Sequence, residues 1–227
     1  MLWYKAWLET RWRFGFLLLC SIALMALPPV IPAPQARWWI GFEMQISLLG
    51  AFAAVYMAGS GINTQTFYAA TSGFHGSMYF TLSMPVSRLR LLLTRAGVGA
   101  VETAIVISVN VAESLYFHPP LGTTIQQIAV FGVRSIICSM AVYAMAVLLS
   151  CLLDEMWMFT ASLIVVGFLY PLQFHNNWVG WLNPLRGMNL MTVPITAPMP
   201  WLTMASSVGI AAVLFWVSAT LVRRKEF

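Results

Sequence analysis

The chain has 227 residues, of which 60% are apolar and only 8% charged, with a mean hydropathy of +0.80 and a net charge of +5. A soluble domain carries about a quarter charged residues, so this composition excludes a soluble globular protein and places the chain in a bilayer. The three cysteines, Cys20, Cys138 and Cys151, lie in or at the end of apolar blocks without paired spacing, so neither a disulfide framework nor a metal site follows from them.

The apolar residues fall in six blocks, each near the length at which a helix rising 1.5 Å per residue crosses a hydrocarbon core of about 30 Å. They predict an all-α, polytopic membrane protein with one transmembrane domain over residues 1–227. The spans are expected at residues 14–31, 44–62, 96–117, 128–152, 157–172 and 201–222. No remaining stretch is long enough for a separate soluble domain.

Before the first span, Trp3, Trp7 and Phe14 share one helical face, while Lys5, Glu9 and Arg13 form a ladder at four-residue spacing on the other. That pattern predicts an interfacial helix over residues 1–13, lying at the inner membrane surface. The first apolar core is longer than that of a cleaved signal and ends in Pro28, Pro29, Pro32 and Pro34, so it reads as a retained span. In the second span, Gly50, Ala54 and Ala58 recur every four residues and Gly61 continues the stripe, a pattern of close helix packing.

Residues 63–95 hold Phe67, Tyr68, Phe74, Met78, Tyr79, Phe80 and Leu82, then Pro85 and the run Arg88, Leu89, Arg90. A disordered linker would be poorer in aromatics. The expected structure is a set of short coupling helices at the cytoplasmic face, offering apolar side chains to a partner or to lipid.

The third span carries Glu102 and Glu113, three turns apart, with Arg95 on the same stripe and Asn110 about 60° from Glu113. Ionisable groups inside a bilayer cost several kcal/mol unless paired or facing a cavity. Two readings stand: a polar lining of a substrate path or subunit interface, and local pairing that holds helices together. Arg134 lies about 9 Å into the fourth span and Glu113 about 6 Å from the outer end of the third. The matched depths predict an ion pair between them, with snorkelling of Arg134 to the headgroups as the alternative. Residues 173–200 contain Trp178, Trp181, Pro184, Pro194, Pro198 and Pro200, too broken for a span and too apolar for open water. A segment dipping back over the bundle from the outer side is expected.

Lys and Arg collect in cytoplasmic loops. Lys5, Arg11 and Arg13, then Arg88, Arg90 and Arg95, then Arg223, Arg224 and Lys225 all fall on one side of a six-span chain, against Arg37, Arg186 and Arg134. The expected orientation in the cell membrane has both termini cytoplasmic. The same rule accounts for the net positive charge, so no nucleic-acid partner is expected.

Enzyme signatures are absent from the sequence. His75, His118 and His175 lie in separate loops without metal-binding spacing, Gly59, Ser60 and Gly61 are too short for a nucleophile elbow, and no phosphate-binding Gly-rich loop with its Lys is present.

Residues 79–95, YFTLSMPVSRLRLLLTR, resemble the segment after the second span in the type-2 permease family of ATP-binding-cassette exporters. The opening MLWYKAWLETRWRF, the outer Trp181, Leu182, Asn183, Pro184 and Leu185, and the ending Arg223 to Phe227 add to the likeness. One departure is that residues 69–78 contain no acidic residue, where members of that family often have a charged, acidic segment. The resemblance implies a permease subunit without catalytic or nucleotide-binding residues of its own. Two copies, or two related chains, would form the path, and separate ATPase subunits would carry ATP and Mg. It assigns Tyr79, Phe80, Leu82, Met84 and Arg88 to ATPase docking, and leaves Glu102, Asn110, Glu113 and Arg134 as the intramembrane polar path or interface. The apolar interior favours lipids, peptides or hydrophobic drugs over sugars as cargo. Two alternatives stay open: a membrane-embedded enzyme using Glu102, Glu113 and Asn110, and a structural or assembly subunit resembling the haem-exporter membrane subunits of cytochrome c maturation.

Overall fold

In the computed structural model of the protein, the structure describes residues 2–26, 48–58, 87–117, 124–153, 155–175, 177–189, 192–195 and 197–224. The described residues are all-helical, without a strand. In chain order the helices are α1 (Leu2–Ala26), α2 (Leu48–Met57), α3 (Arg88–Phe117), α4 (Ile125–Leu152), α5 (Glu155–Leu172), α6 (Trp178–Leu182), α7 (Pro184–Met188) and α8 (Trp201–Arg224). Among the described residues, three helical stretches are long and apolar enough to cross a membrane: Leu89–Glu113, Ile125–Leu152 and Trp201–Arg224. Leu48–Met57 and Trp157–Leu172 are shorter apolar helices.

Two expectations are corrected at the helix starts. Residues 2–13 are not a separate interfacial helix, because α1 continues unbroken from Leu2 to Ala26 with no turn near residue 13. Its buried positions Ala6, Thr10, Leu17 and Ser21, spaced by four, seven and four, form one stripe along the whole length, so a single face packs on a single neighbour. The third helix begins at Arg88 rather than near residue 96, which moves residues 88–95 from the coupling loop into α3. Charge ends an apolar block but not a helix. Leu and Arg are both good helix formers, and buried Leu91 and Leu92 already pack at that end.

Contacts fix the relative direction of the helices. Between α1 and α3, Trp3 reaches Gly97, Thr10 reaches Glu102 and Ser21 reaches Asn110; the numbers rise together, so the two helices are parallel. Between α3 and α4, the Tyr143 hydroxyl donates to the Ala96 carbonyl at 2.9 Å while Val111 lies against Gly132, so that pair is antiparallel. Gly50 lies near Ile107 and the Met57 carbonyl near Gly99, so α2 is antiparallel to α3. Cys138 hydrogen-bonds Ser207 and Tyr143 packs on Phe215 at 6.2 Å, so α4 and α8 are parallel, and theirs is the most extensive helix contact. These directions bring the N-terminal ends of α1 and α3 and the C-terminal end of α8 to the same end of the bundle.

The core lies between α2, α3, α4 and α8. Ala51, Ala53, Ala54, Val55 and Ala58 give α2 a small-residue surface against its neighbours, and Gly50 is buried with them. Small side chains allow backbones to approach, which is how helices associate where no water is expelled between them. Helix α4 starts at a capping box, in which the Thr124 side chain accepts from Gln127 N and the Gln127 side chain accepts from Thr124 N at 2.9 Å. On the outside, Trp201, Leu202, Val208, Val213 and Trp216 of α8 and Trp157, Ile164 and Phe168 of α5 are exposed, the apolar outer surface that a bilayer requires.

Candidate functional site

Polar side chains that the fold buries collect in two places. The first is the seam between α1 and α3. Glu102 is 3% exposed and accepts a 2.6 Å hydrogen bond from Thr10 Oγ1, while Ser21 Oγ donates to Asn110 Oδ1 eleven residues further along α1. Eleven residues is close to three turns, so Thr10 and Ser21 lie on one line. The second oxygen of Glu102 has no hydrogen-bond partner. Below it, the Tyr143 hydroxyl occupies the space a side chain at Gly99 would need.

The second place is the segment between α5 and α8, whose described residues form a folded unit. Asn177 caps α6 by accepting from Gly180 N at 3.2 Å, and Asn183 caps α7 by accepting from Leu185 N at 3.0 Å, with Pro184 at the first helical position where its missing N–H costs nothing. The Asn183 amide also donates to the Leu169 carbonyl at 2.6 Å, which ties α7 to the end of α5. Arg186 is the hub. Its Nη1 donates to the His175 carbonyl at 2.8 Å and to that of Gln173 at 3.4 Å, and its guanidinium lies 4.2 Å from the Trp181 ring centre. Thr192 Oγ1 lies within hydrogen-bond distance of the Arg186 and Asn189 carbonyls.

Helix α7 reaches deep into the bundle. Leu185 and Met188 belong to the main core, Gly187 abuts the Cys138 thiol, and Met188 fills the space beside Gly50. Cys138 is the fourteenth of the 28 residues of α4, so α7 sits level with the middle of that helix. Gly187 is required here by close approach, since a Cβ at that position would overlap the Cys138 sulfur. Residues 177–189 thus form two short capped helices packed on α2, α4 and α8.

Arg134 is 2% exposed and points at this unit: Nη2 donates to the Val193 carbonyl at 2.9 Å and the guanidinium lies 5.0 Å from the Phe131 ring centre. The expected Glu113–Arg134 ion pair is absent. Val111 of α3 meets α4, and Glu113 lies two residues on, about 200° around the helix, so it faces away from Arg134. Glu102 and Glu113 share an azimuth, the side on which Glu102 meets α1.

The four intramembrane candidates therefore divide. Glu102 and Asn110 line the α1–α3 seam about 12 Å apart along the helix, Glu113 is half-buried nearer the end of α3, and Arg134 joins the segment between α5 and α8. Of the docking candidates, Tyr79, Phe80, Leu82 and Met84 lie outside the described residues, and Arg88 opens α3. Among the described residues no three His, Cys, Asp or Glu side chains gather as a metal ion would need. Sequence reading missed the buried polar group formed by Gln173, Asn183, Arg186 and Asn189. The signal for part of it was present: Asn177 three residues before Gly180, and the Asn183–Pro184 pair, are both helix-start patterns.

No protein-family model matches the chain, and no curated protein matches it.

Proposed function

We propose that this chain is the membrane-spanning permease subunit of an ATP-binding-cassette exporter, crossing the inner membrane six times with both termini cytoplasmic. One observation carries the reading: α1 and α3 are parallel, and α4 and α8 run opposite to them, so the basic start of α3 and the basic end of α8 meet at the end of the bundle where α1 begins. Arg88, Arg90 and Arg95 of α3 and Arg223 and Arg224 of α8 belong to that end, while Arg11 and Arg13 lie near the middle of α1, at the level of Glu102. Cytoplasmic flanks carry such an excess. Parallel α1 and α3 with antiparallel α2, then parallel α4 and α8 with α5 following α4, is also the alternation that six crossings require. Helices α1, α2 and α5 are the three spans that this proposal adds to the long apolar ones. The opposite end is capped by the folded unit over residues 173–200, which re-enters the bundle from outside.

On this reading residues 63–87, joined to the start of α3, couple ATPase movement to the bundle, and Tyr79, Phe80, Leu82, Met84 and Arg88 meet the ATPase. The chain itself hydrolyses no ATP. ATP and Mg act on the partner, whose closure shifts the bundle between two states according to their difference in affinity for the closed ATPases. A second copy or a related chain completes the path. Affinity purification through a tag on this chain, after co-expression with the ATPase encoded beside it, tests the proposal. Recovery of the ATPase in about equal amount supports it; recovery of the chain alone, with all of the ATPase in the soluble fraction, contradicts it.

A further inference from the structure

Arg134 is a buried cation whose own chain offers it almost no counter-charge. The seven acidic residues are Glu9, Glu43, Glu102, Glu113, Asp154, Glu155 and Glu226. Glu155 lies beyond the end of α4, whose last residue is about 27 Å from Arg134 by helical rise, and Glu9 lies on α1, which packs against α3. Glu113 faces away on α3, and Glu102 is bonded to Thr10. No residue from 114 to 153, and none from 156 to 225, is acidic. Gly187 abuts Cys138, one turn from Arg134, so α7 passes close to this part of α4.

A buried guanidinium without an opposing charge is among the costliest arrangements in a protein interior. The polar groups around Arg134 do not relieve it. Its described hydrogen bond is the one to the Val193 carbonyl, and its Nε–H, although buried, has no partner. The neighbouring Ser135 hydroxyl is likewise buried and unpartnered. The Phe131 ring and the Val193 carbonyl hold the guanidinium and leave its Nε–H without a hydrogen bond. A carboxylate or phosphate can bond the Nε edge side-on through two oxygens, a geometry that an ammonium group does not offer.

We propose that Arg134 is the recognition point of an anion-binding site beneath the outer segment, taking one carboxylate or phosphate group, either as a free anion or as the headgroup of an amphiphile. The inference rests on the helical bundle and does not depend on the transport reading.

The test is the thermal unfolding midpoint of the purified chain in a neutral maltoside detergent, titrated with inorganic phosphate, with dodecyl phosphate, and with zwitterionic dodecylphosphocholine as control. A saturable rise with either anion and none with the zwitterion is expected. A response to inorganic phosphate assigns a water-soluble anion arriving from outside, and a response to dodecyl phosphate alone assigns an amphiphile headgroup. Arg134→Gln should weaken the half-saturation at least about tenfold, as loss of one partner of a buried charge pair does. If that variant does not fold, Arg134→Lys takes its place, because it keeps the charge and loses the fork, and the same weakening is expected. Absence of any response in the unmodified protein, or an undiminished response in the variant, overturns the site. Glu43→Gln addresses the remaining in-chain counter-ion: a response unchanged from the unmodified protein supports the site, whereas a response that appears only after this substitution shows that Glu43 already neutralises Arg134 and overturns it.

Discussion

Thr10 and Glu102, ninety-two positions apart, are joined by a 2.6 Å hydrogen bond across the parallel helices α1 and α3. Both are almost fully buried, so water does not compete for the bond. Hydrogen bonds between helices in membranes average about 0.6 kcal/mol and reach about 1.7, and a carboxylate acceptor places this one toward the upper value. Thr10→Ala and Glu102→Gln should each lower the unfolding stability, and the double variant should lose less than the sum by about 0.5 to 2 kcal/mol. Strictly additive losses in chemical denaturation would mean that the two side chains do not interact.

The approach of α7 to α4 predicts a size-specific effect. Gly187→Ala places a methyl group onto the Cys138 sulfur and should cost about 1 to 3 kcal/mol by overpacking. Cys138→Ala removes that sulfur and leaves the nearest Cys138 atom at 3.5 Å, an ordinary contact, so the double variant should recover most of the loss. Gly209→Ala, where nothing lies within 4 Å, serves as the neutral comparison. Equal destabilisation at Gly187 and Gly209 would remove the wedge from the account.

Arg186 holds the unit between α5 and α8, since its Nη1 donates to two carbonyls and its plane lies over Trp181. Arg186→Ala should cost about 2 to 4 kcal/mol and open residues 173–200 to protease added from outside. Arg186→Lys should recover only part of this, because an ammonium group can still donate to the carbonyls but does not stack as a plane on Trp181. Full protection in the Lys variant would show that charge alone suffices.

Orientation has its own measurement. In a background lacking Cys20, Cys138 and Cys151, a membrane-impermeant thiol reagent applied to intact cells should label Asn177→Cys, whose position is exposed, and should not label Ser77→Cys. The reverse pattern would invert the bundle and move the basic end outside.

Hydropathy located α4, α5 and α8 to within three residues, because a long apolar block in a bilayer has few alternatives to a helix. It misplaced the start of α3, since Arg88, Arg90 and Arg95 are polar by composition yet helical by propensity. It did not separate residues 1–13 from residues 14–26 correctly either: the change from charged to apolar near Phe14 alters the environment of α1 but not its backbone. Depth was legible and azimuth was not. Glu113 and Arg134 lie at matched depths, but which face of α3 meets α4 is decided by Val111 against Gly132, a packing choice that no single helix reveals. The polar interior of residues 173–200 was hidden for a related reason. Arg186 counts in the sequence as one outer-side cation, and only the fold of α6 and α7 brings the His175 and Gln173 carbonyls and the Trp181 ring to it.

The docking surface gives the most direct measurement of the central claim. Phe80→Asp and Leu82→Asp together introduce two charges into the apolar run at residues 79–84, while leaving every described helix untouched. With a tag on this chain and the neighbouring ATPase co-expressed, the unmodified protein should carry the ATPase through membrane purification. The double variant should insert in the membrane in the same amount and lose the ATPase by about tenfold or more, as expected when an apolar anchor is replaced by charge. Equal recovery of the ATPase with both proteins, or with neither, would contradict the account.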